Sequence, residues 1–297
     1  MRAVTVSRFG GPEAVEIARL PVPEAGPGQV RIKVAAAALN PVDAAMRAGV
    51  FGGDERVGLG WDVSGTVDAV GEGAPWTVGD SVIGLATGHR TPLGTHAEYA
   101  VLDAAAVAPA PRTLDAPHAA SLPLNTLSAD QALDLLDLRA GQSILVTGAA
   151  GGVGGHAVEL AHLRGLEVTA LAADEDAEFL ASRGAAHFLP RTQAPEAGRF
   201  DGALDAAGLG APALAAVRDG GAYVGLWPGQ EPEADRGIRI TALDVRADGT
   251  RLAALARLAD EGRLLARVAH TYPLDAAAQA HIRLAEGGLR GRIVLLP

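Results

Sequence analysis

Residues 143–154, SILVTGAAGGVG, run an apolar strand straight into a glycine-rich turn, a combination that can cradle a pyrophosphate. Ile144, Leu145 and Val146 read as the strand, and the glycines at 148, 151, 152 and 154 let the backbone turn tightly and approach a ligand. Residues 156–166 then have the apolar spacing of a helix whose N-terminus would face the phosphates. Gly148, Ala149, Ala150, Gly151, Gly152, Val153 and Gly154 are the candidate cradle. A plain strand-to-helix connection could carry the same glycines, and Ala149 occupies the first glycine position of G-x-G-x-x-G. Context favours a dinucleotide: a second apolar strand, 166–171, leads to the acidic Asp174, twenty residues beyond Gly154.

Read as T-G-x-x-x-G-x-G, residues 147–154 also resemble the short-chain dehydrogenases, whose catalysis relies on a tyrosine with a lysine four residues later. The tyrosines here are Tyr99, Tyr223 and Tyr272, and four residues beyond them lie Asp103, Trp227 and Ala276. The sole lysine is Lys33, far upstream of the loop, so the pair cannot form and that family is excluded.

The elements that must position the loop fall into two patterns. Residues 1–107 show little helical periodicity and many short apolar runs cut by Gly and Pro, such as RAVTVSRFG, VRIKVAAAALN and GDSVIGL, which predict a mostly antiparallel β domain. Residues 109–123 read as a linker and 124–138 as a helix. Strands at 144–146, 167–171, 187–189, 202–205, 222–226 and 238–245 then alternate with helices at 156–164, 176–183, 211–217 and 250–261, implying a doubly wound parallel sheet. From about residue 264 the chain returns to the first domain with a helix, 274–286, and a closing strand.

In chain order, LNPVDAAMRAG (39–49), GLGWDVSGTVDAVGEGA (58–74), VGDSVIG (78–84), GTHAEYAV (94–101), the glycine loop and the terminal RGRIVLLP resemble the medium-chain dehydrogenase/reductase superfamily, nearest its zinc-independent quinone oxidoreductase branch. The likeness covers nearly the whole chain. It implies an α/β fold: a Rossmann-type doubly wound parallel sheet in 118–263, plus a GroES-like, mostly antiparallel β domain in 1–117 and 264–297, with the chemistry in the cleft between them.

Composition fits that placement. The 297 residues suffice for two cores, and 38 glycines with 48% hydrophobic residues suit an α/β enzyme. A net charge of −10 with scattered cations argues against nucleic acid, and no apolar stretch is long and uninterrupted enough to span a membrane. The N-terminus lacks the apolar core of a signal peptide, so the expectation is a soluble, cytoplasmic protein. Relatives in the superfamily that bind zinc do so with Cys and His, and this chain contains no cysteine. Asn40 stands where the resemblance places the first cysteine ligand, and Trp61 in GWD replaces the histidine of G-H-E. Val82 to Glu98 runs through without the four-cysteine lobe of a structural zinc, so no metal is expected.

The resemblance points to Asn40 as the residue facing the nicotinamide, its amide donating to a carbonyl oxygen and accepting from the ribose, although Asn-Pro alone commonly just starts a turn. Ser128 stands at the position of a family threonine near the cofactor; a serine on a helix face is the plain alternative. Met46, Phe51, Trp61 and Trp227 are candidate walls for a flat substrate, and each alone could equally be core. Asp62 reads as a structural hydrogen-bond partner, and Gly208 and Gly225 end strands where a dinucleotide would lie.

NADPH is the family's usual cofactor, read by a serine and a cation after the second strand, but LAADEDAEF offers Asp174, Glu175 and Asp176 and no cation until Arg183. A carboxylate there suits the free ribose hydroxyls of NADH; the acids could also simply occupy the first turn of the next helix. The resemblance therefore implies a zinc-free NAD(P)H-dependent reductase of quinones or activated enones, with NADPH as the family expectation and NADH open. A 2-alkenal or enoyl reductase of the same fold and a non-catalytic dinucleotide-binding protein are the alternatives. A homodimer is expected through the edge strand at 238–245.

Overall fold

The alternation in VRIKV is realised in the strand Gln29–Leu39, where Val30, Ile32 and Val34 are buried while Lys33 and Ala35 are exposed. From Ala36 onward every residue is buried, because small alanines let other elements cover both faces: Ile293 pairs opposite Leu39, and Ala36, Ala38, Ala120 and Val294 form one apolar cluster. The strand thereby carries Asn40 into the interior.

The computed structural model describes residues 1–52, 56–89 and 91–297, and the chain forms two compact units, 1–124 with 246–297, and 125–245. In the first, Gln29–Leu39 is flanked antiparallel by Asp62–Val70, Tyr99–Asp103 and Arg292–Leu296, around a core that includes Val30, Ile32, Val63, Val67, Val82 and Leu102. Asn40 caps the helix Pro41–Ala48, which Pro41 starts with a preset φ and Gly49 ends at φ +80°.

The units divide at 124/125 and 245/246, where the sequence predicts 117/118 and 263/264. The helix Gly249–Asp260 accounts for the later boundary. It packs on the strand Val107–Pro109 of the first unit, where a Cβ on Gly249 would lie 2.3 Å from the Val107 carbonyl oxygen. Thr113 N–H also donates to Asp260 at 2.9 Å.

In the second unit six parallel strands, β1 (Ser143–Thr147), β2 (Glu167–Ala172), β3 (His187–Pro190), β4 (Phe200–Asp205), β5 (Val217–Gly225) and β6 (Arg239–Ala242), lie in the order β3-β2-β1-β4-β5-β6. This is the doubly wound order, and it reverses between β1 and β4, where such sheets bind ligands. Ile144, Leu145 and Val146 are fully buried, as a strand covered on both faces requires. The helix after β1, α1 (Gly152–Leu163), begins four residues before its expected start because Gly152, Gly154 and Gly155 enter it. β5 begins at Val217, earlier than the expected 222, taking the last residue assigned to the preceding helix, which ends at Ala215. β6, the outermost strand, is only four residues long and alternates exposed Arg239 and Thr241 with half-buried Ile240 and Ala242. Among the described residues no helix is long and apolar enough to cross a membrane.

Candidate active site

β1 ends at Thr147 and the chain turns at Gly148, whose φ of +58° is left-handed. The Ala149 N–H donates to the Leu171 carbonyl on β2 at 3.1 Å, and the Gly151 N–H closes the turn on the Gly148 carbonyl at 2.9 Å. Gly151, in extended backbone, then caps α1. A Cβ on Gly154 would sit 2.2 Å from the Gly148 carbonyl oxygen, so this glycine lets helix and turn pack together; a Cβ on Gly151 would meet only that oxygen, at 3.1 Å. The cradle therefore has two parts. Ala149 and Gly154, expected among the ligand contacts, are buried and shape the turn from behind, whereas Gly148, Ala150, Gly151, Gly152 and Val153 are partly open. The open residues lead into the N-terminus of α1, whose first N–H groups have no partner in the helix's own ladder.

Along the C-terminal edge of the sheet, Leu171, Thr147, Asp205 and Gly225 stand opposite one another across β2, β1, β4 and β5. Buried Asp205 ties that edge together. Its carboxylate accepts from the Thr147 hydroxyl, from Leu209 N–H at 3.1 Å, from Gly210 N–H at 2.7 Å and from the Tyr223 hydroxyl at 2.8 Å. Thr147 Oγ1 in turn accepts from Ala207 N–H at 3.0 Å, so the turn 206–210 is held at the reversal of strand order. Beside it a pocket is lined by Asp205, Gly208, Gly210, Tyr223, Gly225 and Trp227. Burial, and then the Asp205 carboxylate, push the Tyr223 phenol well above its ordinary pKa, so it remains a neutral donor.

Gly208, Gly225 and Trp227, named from sequence, are thus brought together; Thr147, Asp205 and Tyr223 were missed, although an acid ending the apolar strand GALD was a signal for one of them. Asp174 is exposed and opens a short 3-10 turn, Asp174–Asp176, after β2, with no side-chain cap bond at its start. Ser128 is buried on the helix Pro123–Leu136. Asp130, two residues further on, is bound to Arg164 at 2.5 Å and so ties that helix to the end of α1.

The first unit holds the other candidates. Asn40 is fully buried, and its amide nitrogen donates to Asp62 Oδ2 at 2.6 Å and, more weakly, to the Ala38 carbonyl at 3.4 Å. This corrects the expectation of an amide N–H free for a substrate carbonyl: the donor is engaged, and Asn40 Oδ1 is one of several buried side-chain atoms with no hydrogen-bond partner among the described residues. Asp62 Oδ1 accepts from Leu124 N–H at 2.6 Å, and Asp43 bridges Asn40 N–H (2.8 Å) and Gly60 N–H (2.9 Å). Below them His96 Nε2 meets the Ala38 carbonyl at 2.9 Å. Met46 and Trp61 are buried, with Trp61 Nε1 donating to the Met46 sulfur at 3.2 Å. The Phe51 ring stacks on His89 with centroids 3.9 Å apart, and His89 lies 5.2 Å from Trp61. Phe51 and Trp61 are therefore linked through the ring of His89, a histidine that sequence reasoning did not name, and Met46 joins them through Trp61.

A zinc ion does not fit the positions that the resemblance would assign it. Asn40 and Trp61 present N–H donors, already engaged, and both Asp62 oxygens accept hydrogen bonds. Asp62 is instead a buried acid: burial pushes its pKa up to about 7, with the Asn40 and Leu124 donors working in the opposite direction. Burial also raises Asp43 and lowers the nearby Arg292 guanidinium, whose charge the two carboxylates support. Because the folded pKa of Asp62 lies above its unfolded value, its stabilising contribution is complete below pH 3.8 and is lost as pH rises through about 7. Chemical denaturation from pH 5 to pH 8.5 should show the wild type losing a few kcal/mol relative to Asp62→Asn. Parallel profiles would show that Asp62 does not titrate there.

Two family models match the chain. One, described as an alcohol dehydrogenase GroES-like domain, covers residues 26–112; the other, described as a zinc-binding dehydrogenase, covers residues 171–295. The chain is 32% identical to the chloroplastic NADPH-dependent alkenal/one oxidoreductase of Arabidopsis thaliana over 315 aligned positions, spanning all of this chain and 80% of that protein. It superposes on the quinone oxidoreductase of Coxiella burnetii with a TM-score of 0.87 at 27% identity, covering 100% of this chain and 99% of that one. A structure described as an NAD-dependent alcohol dehydrogenase matches with the same TM-score at 33% identity, with both chains fully covered.

Proposed function

The chain belongs to the medium-chain dehydrogenase/reductase superfamily, in its quinone oxidoreductase-like branch, and from that premise we propose that it is a zinc-free, NADPH-dependent reductase of quinones and activated enones. The observation that carries the reading is the turn 148–153, open in front of α1 at the point where the strand order reverses. The open residues of that turn and the N-terminus of α1 would hold the pyrophosphate, and the pocket beside Gly208 and Gly225 would take the nicotinamide half. NADPH, when bound, supplies a hydride.

The protein's own residues determine which acceptor can use it. With Asn40, Trp61 and Asp62 engaged in hydrogen bonds, no Lewis acid polarises a carbonyl, so the acceptor must already be electrophilic. Quinones and conjugated enones meet that condition. The reduction is completed by a proton that water can supply; the Tyr223 hydroxyl proton is engaged with Asp205. Within the first unit, Asn40 Oδ1 would accept a hydrogen bond from a bound ligand, and the ring of Phe51 would pack against a flat acceptor.

Steady-state oxidation of NADPH and NADH against quinones, 2-alkenals, cyclic enones and saturated aldehydes tests this. Turnover with quinones or enones and none with saturated aldehydes is expected. Turnover confined to saturated carbonyls would overturn the acceptor class, and cofactor binding without any turnover would favour a non-catalytic nucleotide-binding protein.

A further inference from the structure

β3 runs parallel to β2 with Pro190 opposite Ala172, so the residue after β3 emerges at the same edge of the sheet as the turn after β2. That residue is Arg191. Its backbone N–H donates to the Ala172 carbonyl at 2.7 Å, and Gln193 N–H closes a turn on the Pro190 carbonyl at 2.9 Å, which fixes where the side chain starts. Arg191 is exposed, and its guanidinium has no ion-pair or hydrogen-bond partner among the described residues. The cation that chain order would offer next, Arg183, holds the buried Glu159 carboxylate at 2.5 Å, and Arg164 is bound to Asp130 and Asp134. The available cation at the end of β2 therefore comes from the neighbouring strand.

We propose that Arg191 reads the ribose 2′-phosphate and so selects NADPH over NADH, replacing a cation on the turn after β2. The proposal rests on the dinucleotide reading of the second unit. A guanidinium can donate two parallel hydrogen bonds to one phosphate, and here its backbone is anchored to the carbonyl that ends β2. Exposed Asp174 acts in the opposite sense, because a carboxylate accepts from free ribose hydroxyls and repels a phosphate. An acidic turn after β2 and a selective response to the phosphate are compatible when the cation arrives from β3.

The test is calorimetric titration of wild type, Arg191→Ala and Asp174→Ser with NADPH and NADH, repeated with 2′-phospho-ADP-ribose and ADP-ribose, which lack the nicotinamide. Arg191→Ala should weaken NADPH and 2′-phospho-ADP-ribose about 10- to 100-fold and leave NADH and ADP-ribose unchanged. Asp174→Ser should tighten NADPH and weaken NADH. Equal effects of Arg191→Ala on the phosphorylated and unphosphorylated ligands, or no effect on either, would overturn the assignment while leaving the dinucleotide domain intact. Failure of the wild type to bind any of the four would overturn both. Because Arg191 is exposed, its removal does not threaten the fold.

Discussion

Gly151→Val should fold and lose NADPH binding by at least about 100-fold, whereas Gly154→Val should fail to reach the native state at all. The two glycines lie three residues apart in one motif, yet they serve different ends. At Gly154 the added Cβ would lie 2.2 Å from the Gly148 carbonyl oxygen, 2.8 Å from its carbon and 3.0 Å from Ala149 Cα, all backbone atoms that cannot move without dismantling the turn. At Gly151 the backbone is extended, φ −78° and ψ −175°, a conformation valine adopts readily, and the single neighbour is an oxygen at 3.1 Å. The cost to the fold is that of a poor helix cap, about 1 kcal/mol, while the side chain projects into the space where a pyrophosphate would approach α1. Fluorescence titration with NADPH alongside a thermal melt separates the outcomes. A folded Gly151→Val protein that binds NADPH at native strength would remove the loop from the site.

The second large effect is at Asn40. Replacing it with alanine takes one of two donors from the buried Asp62 carboxylate and deletes the unpartnered Oδ1. The first loss costs about 1–3 kcal/mol of stability, and the second should slow hydride transfer on the order of 10²-fold while cofactor affinity changes little. Single-turnover kinetics and the NADPH dissociation constant distinguish a positioning role from a structural one. An unchanged transfer rate in a destabilised protein would leave Asn40 as the cap of Pro41–Ala48 and nothing more.

Much of this was legible because local sequence and fold agree. The run SILVTGAAGGVG combines a fully buried strand, a left-handed glycine and a capped helix within twelve residues, so its reading needed no tertiary information. The same holds for the parallel alternation that gives the strand order. What was not legible depends on partners distant in the chain. The periodicity of Gly249–Asp260 marks a helix, but the Val107 carbonyl that admits Gly249 lies over a hundred residues away, and only that contact assigns the helix to the first unit. Asn40 looked like a free donor because the carboxylate that takes its N–H, Asp62, is on another strand. Arg191 did not stand out from the sequence because its place beside the end of β2 comes from strand pairing, whereas chain order leads first to Arg183.

The central claim is hydride transfer to a preactivated acceptor without a metal. Its most direct test is a single turnover of NADPH with a saturating quinone or enone, comparing untreated protein with protein exhaustively dialysed against chelator, with zinc measured in both by elemental analysis. The account predicts that zinc is substoichiometric before treatment and that NADPH is oxidised at the same rate in both samples. Stoichiometric zinc whose removal abolishes the transfer would contradict it.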